Sequence, residues 1–223
     1  YDTYILKVKF FADGHWRYLS YEKIKSAPID STPLATKPSE ELIKKVYGEF
    51  IGVTDEPYPE IYEGFEARFV RFAFLRYKEG FNGITIDDFP IAYTENSSLH
   101  EAPASDIINC LSAYFDGIDC EKVVKNYIAS VDSTKADTCP EYPVGSSYSY
   151  YYFLQGSKYD AKSGILSIKA FHFMNGLPES ISSYDDKGMQ ELIDSGYNDY
   201  ETRILKVKFF ADGHWQYLSY EKK

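Results

Sequence analysis

The stretch YDTYILKVKFFADGHWRYLSYEK, residues 1–23, returns at residues 200–222 as YETRILKVKFFADGHWQYLSYEK. Twenty of the 23 aligned positions are identical, and the second copy stands 199 residues after the first. Within each copy, apolar and polar residues alternate on both sides of an Asp-Gly dipeptide, the pattern of a β-hairpin with a tight turn. The sequence therefore predicts the same hairpin at both ends of the chain.

Two origins explain this repeat. A natural array with a period of 199 residues would place the last segment of one module directly before the next module. An engineered duplication of a terminal segment would produce the same order, but an engineered copy needs no alteration. Drift between the copies favours the natural array: Asp2 aligns with Glu201, Tyr4 with Arg203, and Arg17 with Gln216. We therefore expect a segment of a longer polypeptide, as the lack of an initiator Met also indicates.

The composition between the two copies places the module boundaries. Residues 24–39 hold three prolines with several Ser and Thr and no periodicity, which is typical of an extended linker. Residues 1–23 are then the terminal β-hairpin of a preceding repeat. Residues 40–223 form one repeat module that ends in the same hairpin.

Helical and strand patterns fall in separate blocks within this module. A Ser N-cap at Ser39 before two acidic residues begins a helix that extends to about Phe50. Residues 64–77 suit either state, and their aromatic and β-branched content favours a strand. The remaining predictions are helices over 104–115, 120–130 and 187–194, short strands over 83–86 and 90–93, and a second hairpin over 148–155 and 164–174 with the polar loop 156–163 between its strands. The blocks predict an α+β fold, an antiparallel sheet with two or three packed helices.

Charge and motif content exclude several classes of function. The chain has 24 Lys and Arg against 34 Asp and Glu, a net charge of −10. Nucleic acids and anionic membrane surfaces both attract clustered basic residues, so neither is expected as a partner. No apolar run is long enough for insertion into a membrane. Nucleophile motifs such as G-x-S-x-G and phosphate-binding loops are absent, so we expect no cofactor and no enzyme activity.

The cysteines bear on the compartment. Cys110, Cys120 and Cys139 lack any C-x-x-C spacing, so a zinc site is not expected. Two alternatives stay open, namely three buried reduced thiols or a disulfide between Cys120 and Cys139 with Cys110 buried and free on a helix. The sequon at Asn96 is a glycosylation candidate in a secreted protein. We expect an extracellular or cell-surface location.

A short acidic string carries the one resemblance to an enzyme family. Residues 80–88, GFNGITIDD, resemble a strand end of several families of barrel glycoside hydrolases, in which such carboxylates act as acid, base or nucleophile. Similar strings also end strands of extracellular β-sandwich modules, where the aspartates cap a turn or hold calcium. An eight-unit barrel takes about 250 residues, more than one repeat offers. Turn acids are therefore the favoured interpretation of Asp87 and Asp88, with a small glycoside hydrolase as an alternative.

The histidines show no metal or catalytic spacing. His15 and its copy His214 follow the hairpin turn directly and should face solvent on the side of the strand opposite the neighbouring Trp. His172 lies between two Phe residues on a predicted strand and is interpreted as a surface or cross-strand residue.

Tyrosine supplies the candidate partner surface. The chain has 22 Tyr, and Tyr148, Tyr150 and Tyr152 share one face of a predicted strand while Tyr151 and Phe153 take the other. Tyr combines a rigid apolar ring with a hydroxyl, which suits protein interfaces and sugar stacking alike. The apolar face of the repeated hairpin must also pack against something. The predicted binding residues are Phe10, Trp16, Tyr18, Tyr148, Tyr150, Tyr152 and Trp215.

These features predict a structural module of a tandem-repeat fibre or cell-surface protein. Neighbouring copies of the repeat are the expected partners, and they would meet through the terminal hairpin and the Tyr-rich surface. A carbohydrate-binding module, with glycans as partners, or a small glycoside hydrolase is the alternative from another functional class.

Overall fold

A computed structural model gives the structure of the chain. It describes residues 2–10, 16–25, 31–54, 66–81, 84–89, 91–94, 97–131, 137–142, 151–173, 177 and 185–223, with the backbone alone within 2–25 and 92–97. The chain divides into two compact units, Tyr1–Thr32 and Pro33–Lys223. This division falls inside the predicted linker, residues 24–39.

The first unit contains the predicted hairpin. Strand β1 (Asp2–Phe10) pairs antiparallel with strand β2 (Trp16–Lys25). The pairing runs from Asp2 opposite Lys25 to Phe10 opposite Trp16, with a β-bulge after Lys7. The hairpin expected over residues 1–23 is therefore confirmed, and its second strand ends at Lys25.

The second unit contains the remaining elements. In chain order they are α1 (Glu40–Val53), α2 (Glu66–Lys78), a 3₁₀ turn (Ile86–Asp88), β3 (Ile91–Thr94), β4 (Ser97–Pro103), α3 (Ala104–Tyr114), α4 (Cys120–Ser130), β5 (Thr138–Pro140), β6 (Tyr152–Asp160), β7 (Ile165–His172), α5 (Asp186–Asp194), β8 (Glu201–Phe209) and β9 (Trp215–Lys222). Strands β6, β7, β8 and β9 form a four-stranded antiparallel sheet in that order, and β3, β4 and β5 form a three-stranded one. The α+β class with an antiparallel sheet is confirmed.

Helix α1 follows the sequence prediction closely. The Ser39 Oγ accepts a hydrogen bond from the Leu42 N–H at 3.2 Å, which satisfies one of the free donors of the first turn. Two acidic residues, Glu40 and Glu41, occupy that turn. The apolar stripe of α1 is buried and ends in Phe50, Ile51 and Val53. The helix therefore presents one apolar face to the interior, as its spacing predicts.

Helix α2 corrects the prediction of a strand over residues 64–77. Its buried side chains recur at helical spacing: Phe69, Val70, Phe72, Ala73, Phe74, Arg76 and Tyr77. Aromatic and β-branched residues favour strands by about 1 kcal/mol at most over the whole scale, and packing against neighbouring elements overrides that preference. The apolar period of 3.6 residues was the stronger signal in this segment.

Two further boundaries differ from the prediction. The strand expected over 83–86 is wrong in its described part, where the 3₁₀ turn begins at Ile86. The polar loop expected over 156–163 is wrong over 156–160, because β6 continues to Asp160 beyond a bulge between Leu154 and Gly156, and residues 161–163 lie in the turn. Polar residues alternate there on the exposed face of an outer strand, so the segment has the composition of a loop and the conformation of a strand.

The large sheet is covered on its two faces by different elements. Its inner face packs on α1, α2 and the end of α3 in one continuous apolar cluster. On the opposite face, a smaller cluster joins Phe153 and Phe171 of the sheet to Met189 and Leu192 of α5. The interior of the second unit therefore lies between the sheet and the helices that precede it in the chain.

Candidate functional site

The second copy of the repeated hairpin, β8–β9, forms half of the four-stranded sheet. Strand β8 pairs with β7 from Glu201 opposite His172 to Lys208 opposite Ile165. Alternation along β8 and β9 points every second side chain inward, apart from one bulge after Lys206. Seven side chains form the buried inward set: Arg203, Leu205, Val207, Phe209, Trp215, Tyr217 and Tyr220.

Tyr217 lies at the centre of this buried face. It is 0% exposed, and its ring lies 5.1 Å from those of Phe50 and Phe115 and 6.2 Å from that of Phe72. Its hydroxyl donates to the Val46 carbonyl at 3.0 Å, so the one polar atom of the side chain is paired. Burial raises the pKa of Tyr217 well above its usual value. The neutral, fully buried Tyr217 thus packs the hairpin against the helices.

Trp215, a predicted partner residue, contacts a buried cation. It is 6% exposed and packs on Tyr114 with ring centroids 5.5 Å apart. The Arg76 guanidinium carbon lies 5.3 Å from the Trp215 centroid and 5.1 Å from that of Phe72, within cation–π range. Arg76 also donates to Glu49 at 2.7 Å, which supplies the counter-charge. Trp215 therefore belongs to the interior of its own module.

A second polar cluster lies at the open end of β8–β9, the end away from its turn. The Tyr47 and Tyr220 hydroxyls are 2.8 Å and 3.1 Å from His172 Nε2. Burial and then the positive charge of Arg203 lower the pKa of His172 to about 4, whereas Glu201 opposes that shift. The imidazole is neutral near pH 7, and it is 4% exposed. The surface alternative for His172 is wrong, because the strand turns this position toward α1.

The first hairpin, β1–β2, reproduces the pairing of β8–β9. Val8 stands opposite Tyr18 and Phe10 opposite Trp16, as Val207 stands opposite Tyr217 and Phe209 opposite Trp215. The bulge falls after Lys7 in one hairpin and after the equivalent Lys206 in the other. The two copies therefore share their register and their irregularity, not only their sequence.

Two of the three substitutions between the copies fall on one ion pair of the module. Arg203 donates to Glu201 through Nη2 at 2.6 Å, and its guanidinium carbon lies 5.5 Å from the Tyr220 ring centroid. The first copy has Asp2 and Tyr4 at the two positions of this pair. The third position holds Gln216 in the module, half-buried on the outer face. Arg203 is thus the one position of the buried set that differs between the copies, and the other six are identical.

The structure describes the side chains of some of the predicted aromatic residues and not of others. Tyr152 is half-buried, and its ring packs on Tyr47 at 5.0 Å and on His172 at 6.0 Å. Tyr151 and Phe153 belong to the cluster on the opposite face, so the predicted division between faces is confirmed for these residues. Tyr148 and Tyr150 lie outside the described residues, as do the side chains of Phe10, Trp16 and Tyr18.

All three cysteines are buried free thiols. Burial raises the pKa of Cys110 and Cys120 and raises that of Cys139 to about 12, which disfavours the reactive thiolate. Cys110 is the buried free thiol that its helix pattern predicts. Cys120 and Cys139 are not bridged in the structure, and a disulfide between them stays a prediction. Asn96 lies outside the described residues.

The acidic string of residues 80–88 ends in a structural turn. The Asp88 carboxylate accepts from the Thr85 N–H at 2.6 Å and from the Thr85 hydroxyl at 3.1 Å. These bonds use Asp88 as the cap of the 3₁₀ turn, in line with the favoured interpretation of the pair. No group of three or more His, Cys, Asp or Glu side chains in the described segments could hold a metal ion.

The buried Arg76 and its half-buried partner Glu49 were missed in the sequence. Arg76 and Glu49 lie on helices α2 and α1, and the strand predicted over 64–77 hid the helical face on which Arg76 lies. The available signal was spacing, since Arg76 follows Phe69 and Phe72 by two turns and about one turn of a helix. Tyr47 and His172 meet only through tertiary packing and carry no local signal.

Two results bear on classification. No helix in the described parts of the chain is long and apolar enough to cross a membrane. No family model, curated protein or solved structure matches the chain.

Proposed function

We propose that the chain is a link of a tandem array, a structural and interaction module of an extracellular fibre or cell-surface protein. The observation that carries this proposal is the shared register and bulge of β1–β2 and β8–β9. In the second unit that hairpin supplies half of the sheet, so a module needs it to cover the helices. The first hairpin is then the closing element of the preceding module.

A structural role also agrees with how the module uses its polar residues. Arg76 is enclosed by aromatic rings and paired with Glu49, and His172 is held between two tyrosines. Asp88 is bonded within its own turn. Each of these groups stabilises the module, which favours the structural role over the glycoside hydrolase alternative.

The neighbouring repeats are the proposed partners in the array. Contacts between repeats would involve the hairpin and the Tyr-rich segment at 148–152. An extracellular location belongs to the same proposal, and occupancy of the Asn96 sequon in secreted material would support it.

The coding sequence around the chain tests the array directly. We expect further copies of the hairpin sequence at a spacing of 199 residues. A parent sequence with one module and no further copies would identify an engineered duplication and refute the array.

A deletion of residues 1–23 tests contacts between repeats. We expect the shortened chain to keep its unfolding midpoint and to lose self-association at high concentration, measured by analytical ultracentrifugation beside the full chain. Identical sedimentation of the two chains over the same concentration range would refute contact through the first hairpin.

A further inference from the structure

We propose that the first hairpin, β1–β2, is a docking element that takes the place of β8–β9 in the second unit of another copy of this chain. This role rests on the proposed array for its biological use. The docking can fail while the array stands, because the spacing of copies in the parent sequence does not depend on exchange between chains.

The inner face of β8–β9 shows what β1–β2 can dock against. Six of the seven buried positions of β8–β9 recur without change in the first copy, as Leu6, Val8, Phe10, Trp16, Tyr18 and Tyr21. The seventh, Arg203, is Tyr4 in the first copy. The pairing of β1 with β2 places these six at the same register positions. The helix surface that contacts the second copy includes the Val46 carbonyl, which accepts from the Tyr217 hydroxyl. This surface is therefore complementary to the same six side chains of the first copy.

The backbone edge of the hairpin gives a second, independent match. The edge of β8 that faces away from β9 pairs with β7 over eight residues of β7. Among the described residues, β1 forms a two-stranded sheet with β2. A two-stranded hairpin alone is marginally stable in water, and an open edge of this kind is a template for another strand. In another copy, the edge of β7 would pair with β1, and the helices behind β7 would cover the apolar face of β1–β2.

One of the three substitutions, Tyr4 for Arg203, changes a buried position of this match. Arg17 replaces Gln216 on the outer face, away from the helices. Asp2 and Tyr4 replace the ion pair at the open end of the hairpin. A docked first hairpin would keep the six identical apolar positions, and it would lack the Arg203–Glu201 ion pair and the contact of Arg203 with the ring of Tyr220.

Exchange joins chains head to tail. The hairpin of one chain would occupy the module of a second, whose own first hairpin remains available for a third. A heterologous contact of this kind produces open chains of subunits unless the rotation closes a ring. In the intact chain β8–β9 already fills the site, so docking follows displacement of β8–β9 and increases with chain concentration.

Register-specific disulfide trapping tests the docking in full-length chains. The acceptor chain carries Ser167→Cys, with Val8→Arg and Val207→Arg to disable both of its own hairpins. The donor chain carries Lys7→Cys and an unchanged module. Lys206 stands opposite Ser167, so the equivalent residue 7 of a docked hairpin would lie within disulfide range of residue 167.

We expect a disulfide-linked heterodimer of acceptor and donor under mild oxidation. The matched control is a donor with Lys9→Cys, whose equivalent Lys208 stands opposite Ile165 and thus two residues out of register. The yield with Lys7→Cys should exceed that of the control by about tenfold, since a disulfide tolerates little extra separation. Equal yields from the two donors, or no heterodimer from either, would overturn the docking.

A converted donor separates the possible causes of a negative result. Asp2→Glu, Tyr4→Arg and Arg17→Gln make its hairpin identical to β8–β9 while it keeps Lys7→Cys. Capture of this donor with no capture of the original would show that the native substitutions reject the acceptor, and would overturn the proposal. Failure of both would overturn it as well.

Folding of the acceptor provides the second measurement. If its disabled hairpins leave the acceptor unfolded, an excess of donor should restore near-UV circular dichroism in proportion to heterodimer formed. A chain with only Ser167→Cys and Lys7→Cys, refolded from urea at high concentration, should form linked oligomers in the same register. Monomers alone after this refolding would contradict the proposal regardless of how the acceptor folds.

Discussion

The two hairpins have nearly the same sequence and different surroundings. Hairpin β8–β9 is part of a four-stranded sheet whose inner face is covered by helices, whereas β1–β2 forms a two-stranded sheet in a unit of its own. Their register and bulge are nevertheless the same. Local sequence is therefore sufficient for the geometry of this hairpin, and the stabilisation of its apolar face comes from residues far away in the chain.

The largest difference should appear when the central tyrosine of each hairpin is removed. Tyr217→Ala deletes a fully enclosed ring and its hydrogen bond to Val46, so we expect the unfolding free energy to fall by about 4 kcal/mol. Tyr18→Ala, the matched change in the first copy, should leave the unfolding midpoint of the second unit in place. Urea titration followed by circular dichroism measures both variants. Equal losses of unfolding free energy would show that the two hairpins contribute equally to stability.

Removal of the buried cation should have the next largest effect. Arg76→Met keeps an unbranched apolar side chain but removes the donor that pairs with the half-buried Glu49 at 2.7 Å, which should cost about 3 kcal/mol. The control is Glu49→Gln combined with Arg76→Met, which should recover part of this loss because no unpaired charge remains. Arg76 contacts Trp215 of the second copy. A double variant no more stable than Arg76→Met would assign the effect to packing of the guanidinium.

Acid should destabilise the second unit through His172. Its folded pKa of about 4 lies below the ordinary value of 6.5, so folding favours the neutral ring. The contribution is fully present above about pH 6.5 and is lost as the pH falls toward 4. At pH 4.5 the loss should be about 2 to 3 kcal/mol, from the usual 1.36 kcal/mol for each pKa unit.

The His172 variant isolates this contribution from that of the carboxylates. Urea unfolding of His172→Gln between pH 8 and pH 4.5 should show a correspondingly shallower dependence on pH than the unchanged chain. His172 ends β7 and contacts the Tyr220 hydroxyl within the second unit, whereas Tyr21, the copy of Tyr220, belongs to the first unit. Equal pH dependence in variant and parent would exclude His172 as the group responsible.

A glycine substitution in each copy should give the smallest effect. Gly213 has a φ of +90° with open space around its Cα, so Gly213→Ala should cost about 1 kcal/mol through backbone strain alone. The matched change Gly14→Ala in the first copy should leave the unfolding free energy of the second unit unchanged. Thermal unfolding of the two variants provides the measurement, and a larger loss from Gly14→Ala would reverse the roles assigned to the hairpins.

The elements that sequence predicted well are those with a local cause. Ser39 accepts the hydrogen bond expected of an N-cap, and α3 and α4 lie where their periodicity predicts them. The errors fell where two local signals compete. In α2 the β-propensity of its aromatic residues opposed their helical spacing, and in β6 polar residues on an outer strand were interpreted as a loop.

The candidate site was predictable only in its outline. The sequence predicts Trp215 and Tyr152 as partner-binding residues, and in the structure their side chains pack within their own module. Arg76, Glu49 and the pair of Tyr47 with His172 were missed, because each depends on a partner more than 25 residues away. Burial of a polar residue depends on which elements pack together, and periodicity along one element does not contain that information.

Sequence by itself determined the repeat, the hairpin and the α+β class of this protein, since alternation, turn residues and helix spacing act within a few residues of one another. Tertiary structure alone decided that one copy of the hairpin closes a sheet over α1 and α2 while the other forms a separate unit. The reason is physical: both copies carry the same apolar face, and an apolar face is stabilised only by the surface that covers it.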